Sequence, residues 1–322
     1  MQEVVLSVIM ITYNHELYIR QAIESVINQK VDFEYEILVG DDASTDHTVR
    51  VVSELCEEYP NRIRLIANEV NVGASKNLYN LFMMARGKYV TRLEGDDYWE
   101  ITPNLQKSID FLENNEQYIG ISRANKNYSE VRDEIVSISH NPKLENNEAT
   151  YDTWKRCIGI GTPIYRNIYK NAKEDFTVMY KACRMATEFP LGFILMTHGN
   201  VYLTDEPWEV KRCDRISTAS NYNTIFSRIE IAKELVTIWD VIEEMYPQFD
   251  YRWRRKGPLL MLLYECKDNG EMDFFDSYIK KFDLKYIVPI LIEGYCKYIS
   301  NSIKENIHLL GSKIYHGLFK SR

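Results

Sequence analysis

Between residues 1 and 100, short apolar runs alternate with segments of helical periodicity, and this alternation limits the possible folds more than any other feature. The runs are Leu6 to Ile11, Tyr35 to Val39, Ile63 to Ile66 and Tyr89 to Leu93. Their length and apolar character suit strands buried on both faces. Between them, Ile19, Ala22, Ile23, Val26 and Ile27 recur at helical spacing, as do Val49, Val52, Leu55 and Cys56 within Ser44 to Tyr59. Ala74 to Ala85 forms a third such segment. Strands separated by helices of this length predict βαβ units and a largely parallel sheet with right-handed crossovers. Asn14 is placed to cap the first helix, and Ser44 or Thr45 the second.

Further along, a helix is expected from Pro103 to Asn115, an irregular polar stretch from Asn125 to Asn147, and a strand at Gly161–Tyr165. Glu188 to His198 reads as a helix, and Asn200 to Leu203 as a strand leading to a loop. After about Tyr222 the pattern is helical. The expected organisation is an α/β domain over 1–222, with a donor half at 1–100 and an acceptor half at 101–222, and a helical C-terminal region over 223–322.

The 322 residues suffice for one large core or two smaller ones, and 45% hydrophobic with 27% charged residues is ordinary for a globular chain. The net charge of −8 argues against a nucleic-acid partner. It leaves room for an anionic ligand bridged to carboxylates by a divalent cation. The six cysteines are scattered without metal-site or C-x-x-C spacing and read as buried free thiols of a reducing compartment. The chain enters a strand at Val4 without a signal-peptide layout, and its longest apolar runs, Pro258–Tyr264 and Tyr286–Ile292, fall short of the ~20 residues of a spanning helix. A cytoplasmic protein is expected.

In an open parallel sheet, ligands bind beyond the carboxyl ends of the strands. Three polar clusters fall there: Thr12-Tyr13-Asn14, Asp41-Asp42, and Glu94-Gly95-Asp96-Asp97. An aromatic among polar groups offers a platform for a nucleobase. A carboxylate at 41 or 42 can accept from the imide N–H of a uracil ring or bind metal, although capping of the next helix explains the pair equally well. Three carboxylates within four residues repel one another and need solvent or a cation; hard oxygen donors of this kind suit Mg²⁺ or Mn²⁺.

From Ser7 to Trp99 the sequence resembles the donor-binding half of the family 2 inverting glycosyltransferases of GT-A fold. Five ordered stretches carry the resemblance: Ser7 to Asn14, Val39 to Asp46, Asn71 to Asn77, Ala85 to Val90, and Leu93 to Trp99. The resemblance implies a nucleotide-sugar donor, most commonly a UDP-sugar, a divalent cation (Mn or Mg) and a saccharide acceptor. It implies that Thr12 and Tyr13 contact the base, Asp41 hydrogen-bonds it, Lys76 lies near the base or diphosphate, and Glu94 and Asp96 take part in donor binding. Asp96 and Asp97 are the implied metal ligands. Two departures stand out: the family often carries a proline ahead of the aromatic where this chain reads Ile11-Thr12, and Glu94 replaces the first aspartate of the acidic motif, which leaves the division of labour among Glu94, Asp96 and Asp97 open.

Thr187-Glu188-Phe189-Pro190-Leu191 resembles the helix start that carries the family's catalytic base, and so points to Glu188; a first-turn Glu complementing the helix dipole is the bland alternative. Asp205 and Glu206 are rivals, placed by the sequence in a loop. Val210-Lys211-Arg212, followed by Asp214 and Ser217, resembles a family loop that closes over the diphosphate, where Arg212 would steady the leaving group; an ordinary surface Arg is the bland alternative. The C-terminal region lies beyond the resemblance. It has a basic run, Arg252-Trp253-Arg254-Arg255-Lys256, and from Lys297 to Arg322 five basic residues stand against one acid, a net of +4. That tail suits either a helix packed on the main domain or peripheral contact with an anionic membrane face.

The sequence therefore predicts an inverting, metal-dependent glycosyltransferase acting in cell-surface polysaccharide or glycan assembly, with an acceptor that is lipid-linked or a growing saccharide. A sugar-nucleotide pyrophosphorylase is disfavoured, because no Gly-rich basic loop follows the first strand. A catalytically inactive member acting as scaffold or carbohydrate-binding protein is the remaining alternative.

Overall fold

The computed structural model describes residues 3–154, 162–185, 188–214, 227–249, 252–283, 285–290 and 292. The chain divides into two compact units, one of residues 1–225 and 240–247, the other of 226–239 and 248–322.

The first unit is built on a ten-stranded sheet. Four strands, β1 (Leu6–Thr12), β2 (Tyr35–Asp41), β3 (Ile63–Ala67) and β4 (Tyr89–Glu94), are the four apolar runs of the sequence. They pair in parallel in the order β3-β2-β1-β4. Helices α1 (Ile19–Ile27), α2 (Thr48–Glu58) and α3 (Ala74–Met84) connect them. Both faces of β1 and β2 are covered, which explains why their sequences do not alternate.

Beyond β4 the sheet becomes mixed. The remaining elements, in chain order, are β5 (Tyr98–Trp99), α4 (Asn104–Asn114), β6 (Tyr118–Ser129), β7 (Glu134–Ser139), β8 (Glu148–Ala149), α5 (Tyr151–Trp154), β9 (Pro163–Arg166), α6 (Val178–Lys181), α7 (Glu188–His198) and β10 (Asn200–Asp214). The sheet continues β4-β9-β6-β10-β5, with β7 on β6 and β8 on β10. β9 is antiparallel to both neighbours, whereas β6 and β10 run parallel. One core packs Val8, Met10, Ile37 and Leu93 of the sheet against Ile19, Ile23, Val52, Leu105 and Ile109 of the helices. In it Trp99 of β5 stacks on Trp208 of β10, ring centroids 4.3 Å apart.

Several local expectations are corrected. The stretch 125–147, expected to be irregular, contains the end of β6 and all of β7, paired as a hairpin. Asn200 to Leu203 does not lead to a loop; β10 continues for 15 residues, and Asp205, Glu206 and Arg212 lie within it. Asn14 does not cap α1, which begins at Ile19. It adopts a left-handed φ of 56° and its side chain accepts from Thr45 N–H at 2.8 Å. α2 begins at Thr48, and the Asp46 carboxylate meets its first N–H at 2.9 Å, so neither Ser44 nor Thr45 is the cap. Gly161 lies outside the described residues, and that strand runs Pro163–Arg166. Of the four described cysteines, Cys183 and Cys266 are buried, Cys56 is half-buried and Cys213 is exposed, so the expectation of uniform burial fails at Cys213.

The second unit contains the first part of α8 (Arg228–Met245), then α9 (Arg252–Asp268) and α10 (Met272–Ile279). Ala232, Val236, Leu259, Leu262, Cys266, Phe275 and Tyr278 form its core. Arg255, read in the sequence as part of a basic run, is buried there and donates to the Trp239 carbonyl at 2.8 Å. The tail from Lys297 lies outside the described residues. Among the described residues no helix is long and apolar enough to cross a membrane.

Candidate active site

The carboxyl ends of β1, β2 and β4 bring the three polar clusters together, because the strands are neighbours in parallel register: Thr12 partners Asp41, and Ile11 partners Glu94. Glu94, Asp96 and Asp97 each present a carboxylate oxygen within 4.8 Å of the others. Gly95 lets the turn close: a Cβ there would stand 2.9 Å from both Cβ and Oγ1 of Thr12.

Asp96 and Asp97 are buried, and His15 Nε2 lies 3.6 Å from Asp96 Oδ2. Asp97 Oδ1 accepts from the Arg212 N–H at 2.8 Å. Burial, and then the charges of Asp96 and Glu94, push the Asp97 carboxyl well above the ordinary carboxylate value. A divalent cation would relieve that repulsion, and a compact set of hard oxygens fits Mg²⁺ or Mn²⁺.

The remaining donor-side residues divide by environment. Thr12 is buried and its Oγ1 has no hydrogen-bond partner among the described residues, while Tyr13 is half-buried. Asp41 is buried and accepts from both the backbone N–H, at 2.9 Å, and the hydroxyl of Ser44. Asp42, undecided in the sequence, is structural. It accepts from Val72 N–H at 2.8 Å, Gly73 N–H at 2.9 Å and Asn68 Nδ2 at 3.1 Å. It thereby fixes the loop that leads into α3. Lys76, exposed in the first turn of α3, holds its ammonium 5.6 Å from the Tyr180 ring centroid.

Arg212 is not on a closing loop. It is buried in β10, where its guanidinium lies 4.9 Å from the Tyr18 ring and 5.0 Å from the Tyr98 ring. It donates to Glu130 Oε1 at 2.9 Å, to Gln21 Oε1 and to the Asp96 carbonyl. Three of its five guanidinium N–H groups are thus engaged, one of them with the acidic turn. Neither Tyr18, Gln21 nor Glu130 carried a motif that would have marked it in the sequence.

Glu188 opens α7 and is exposed. Its charge, together with those of Glu94 and Glu209, acts on Arg92 of β4: burial disfavours the guanidinium charge, and the three carboxylates outweigh that. Arg92 Nη1 lies 3.7 Å from Glu94 Oε1. Glu188 and Glu94 of the triad therefore both act on Arg92, a residue that no motif in the sequence marks. The rivals Asp205 and Glu206 are engaged elsewhere, Asp205 accepting from Asn141 N–H at 3.1 Å and Glu206 from Arg123 Nη1 at 3.0 Å.

A sheet whose parallel strand ends carry an acidic triad beside an aromatic and an aspartate is an arrangement that known sequences can test. The profile of Glycosyl transferase family 2 matches residues 7–172. The chain belongs to that family.

An uncharacterized glycosyltransferase of Haemophilus influenzae is 30% identical over 323 residues, covering 88% of this chain and 94% of that one. The minor teichoic acid biosynthesis protein GgaB of Bacillus subtilis is 39% identical over 92 residues, 28% of this chain and 10% of that one. The chain spans about a third of the length of the curated mycobacterial relatives it matches at 38% identity. Among solved structures, S. aureus TarS residues 1–349 in complex with UDP-GlcNAc aligns with a TM-score of 0.54 at 19% identity, covering 80% of this chain and 70% of that one. This likeness supports the GT-A fold of the first unit.

Proposed function

We propose that this family 2 protein transfers a sugar from a nucleoside diphosphate, UDP in the first instance, to a saccharide hydroxyl with inversion at the anomeric carbon. The observation that carries the reading is the meeting of Glu94, Asp96 and Asp97 with Thr12, Tyr13 and Asp41 at adjacent strand ends. Thr12, Tyr13 and Asp41 would hold the base, with Lys76 at the rim of the donor site. Asp96 and Asp97 would hold a divalent cation, with Glu94 in reach of the donor. Such a cation supplies neutralisation of the charge that develops on the diphosphate leaving group.

Glu188, at the N-terminus of α7, takes the proton of the acceptor hydroxyl as its oxygen bonds to the anomeric carbon. The bond to the diphosphate oxygen breaks on the opposite face, and a single displacement of this kind inverts the centre. Arg212 contributes by fixing Asp96 and Asp97 through its backbone N–H and guanidinium.

The S. aureus neighbour crystallised with UDP-GlcNAc supports a UDP-sugar donor. The teichoic acid relative supports a place in cell-surface polysaccharide assembly, with an acceptor that is lipid-linked or a growing glycan. Residues 1–222 are read as the transferase domain and 223–322 as a helical extension. A cytoplasmic location, with the +4 tail resting on the inner face of the plasma membrane, completes the reading.

Calorimetric titration of UDP with and without Mn²⁺ tests it directly. Mn²⁺-dependent UDP binding that disappears in Asp96→Asn is the expected result. Absence of nucleotide binding to the folded, metal-supplied protein would favour a non-catalytic scaffold instead.

A further inference from the structure

β9 joins β4 and β6 over only part of their lengths. It pairs with Tyr89 and Val90 of β4 and with Gly120, Ile121 and Ser122 of β6. Past those positions, no described strand lies between β4, which continues to Glu94, and β6, which continues to Ser129. Arg92 and Glu94 lie past those positions on β4, and Asn125 on β6. β10 pairs with β6 on its other side, where Glu209 is the register partner of Asn125.

Glu209 is 1% exposed and Asn125 6%. Among the described residues, Glu209 Oε2 and Asn125 Oδ1 nevertheless meet no hydrogen-bond donor. A buried acceptor left unmet is costly, so two at partnered positions on adjacent strands call for a reason other than stability. Glu209 itself is held in place: Lys211 Nζ lies 3.6 Å from its Oε1. The Glu209 charge is the main influence keeping Lys211 protonated against burial and the repulsion of Arg92, and it reaches Arg92 and Asp97 as well. Glu209 therefore belongs to the same charged field as Asp97, and Asn125 is its register partner on the adjacent strand.

We propose that Glu209 and Asn125 read the hydroxyl groups of the transferred sugar, with Lys211 and Arg92 as positioning residues that fix the Glu209 carboxylate. This rests on the donor-site reading above. Both orphan atoms are acceptors, so the matching ligand group must donate. Ring hydroxyls donate; a uronic acid keeps its ring hydroxyls, but its carboxylate would be repelled by the Glu209 charge. The transferred sugar is joined covalently to the diphosphate assigned to the triad, which puts its hydroxyls within reach of groups next to Asp97. The chemical class is a neutral hexose or N-acetylhexosamine.

The test compares wild type, Glu209→Gln and Asn125→Leu in Mn²⁺, using UDP, UDP-glucose, UDP-galactose, UDP-GlcNAc and UDP-glucuronate as probes. In the wild type, neutral sugar nucleotides should bind at least tenfold more tightly than UDP-glucuronate. In both variants UDP affinity should stay within about twofold of wild type, while the best sugar nucleotide loses tenfold or more in binding and turnover and discrimination among the sugars narrows. Because Asn125→Leu removes an unmet acceptor at similar volume, its melting temperature should hold or rise. Unchanged sugar discrimination in both folded variants overturns the inference and leaves the donor site standing. Unchanged donor binding with a raised acceptor KM overturns it in favour of an acceptor subsite. Failure of wild type to bind any of the nucleotides removes the donor-site reading itself, and the inference with it.

Discussion

Two neighbouring aspartates show how much a single position matters. Asp41 and Asp42 are the same residue type at the same strand end, yet Asp42 accepts two backbone N–H groups and one side-chain amide from the loop before α3. Asp42→Ala would leave buried donors unmet, and should cost about 2–4 kcal/mol in denaturant unfolding. Arg212 makes the same point for basic residues. Its planar fork serves Glu130, Gln21 and the Asp96 carbonyl at once, and lysine cannot reproduce that geometry. Arg212→Lys should lower stability by about 2 kcal/mol and weaken Mn²⁺-dependent UDP binding together, measured by unfolding and calorimetry. Glu188→Gln should behave in the opposite way. Transfer should fall by about 10²–10⁴-fold in initial-rate assays while UDP binding is retained, because only the proton acceptor is removed.

At the scale of elements, the acidic turn after β4 depends on its glycine. Gly95→Ala would press a methyl group against Thr12 at 2.9 Å and against Ile19 Cδ1 at 3.0 Å. The expected outcome is a displaced turn and loss of Mn²⁺-dependent UDP binding, with helix content by circular dichroism unchanged. The parallel part of the sheet was legible because β1 to β4 are local apolar runs, and α1 and α2 because their apolar residues recur at helical spacing. β10 was not. Its pairing with β6 skips from Thr204 to Glu209, so Asp205 to Trp208 break any period-two pattern, and the strand is held by a neighbour some eighty residues away. β6 and β7 were missed for a related reason: Asn125, Lys126 and Asn127 look like loop residues, and pairing across the sheet decides otherwise. The candidate site followed the same divide. Its motif residues were readable at strand ends, whereas Arg92, Glu209, Asn125 and the partners of Arg212 become meaningful only when distant strands meet.

For the molecule as a whole, acid stability is tied to a buried carboxylate outside the site. Burial opposes the charge of Glu36, but the Arg86 side chain, Ser7 and the Arg86 backbone N–H outweigh it and hold its carboxyl below the usual value. A depressed folded-state pKa contributes stability above the unfolded value, near 4.5, and that contribution is lost as pH falls through the folded value. Unfolding free energy should therefore decline below about pH 4.5, and decline less steeply in Glu36→Gln. The stacked pair Trp99–Trp208 has a further consequence. Trp99 stands two residues beyond Asp97, and Trp208 sits one residue before Glu209, with the rings 21° from parallel. Two indoles that close couple their strong electronic transitions, so the pair should give the far-ultraviolet dichroism an exciton component set by their mutual orientation. The protein thus carries an intrinsic optical gauge anchored two residues from Asp97 on one strand and one residue from Glu209 on the next, readable before any nucleotide or metal is added.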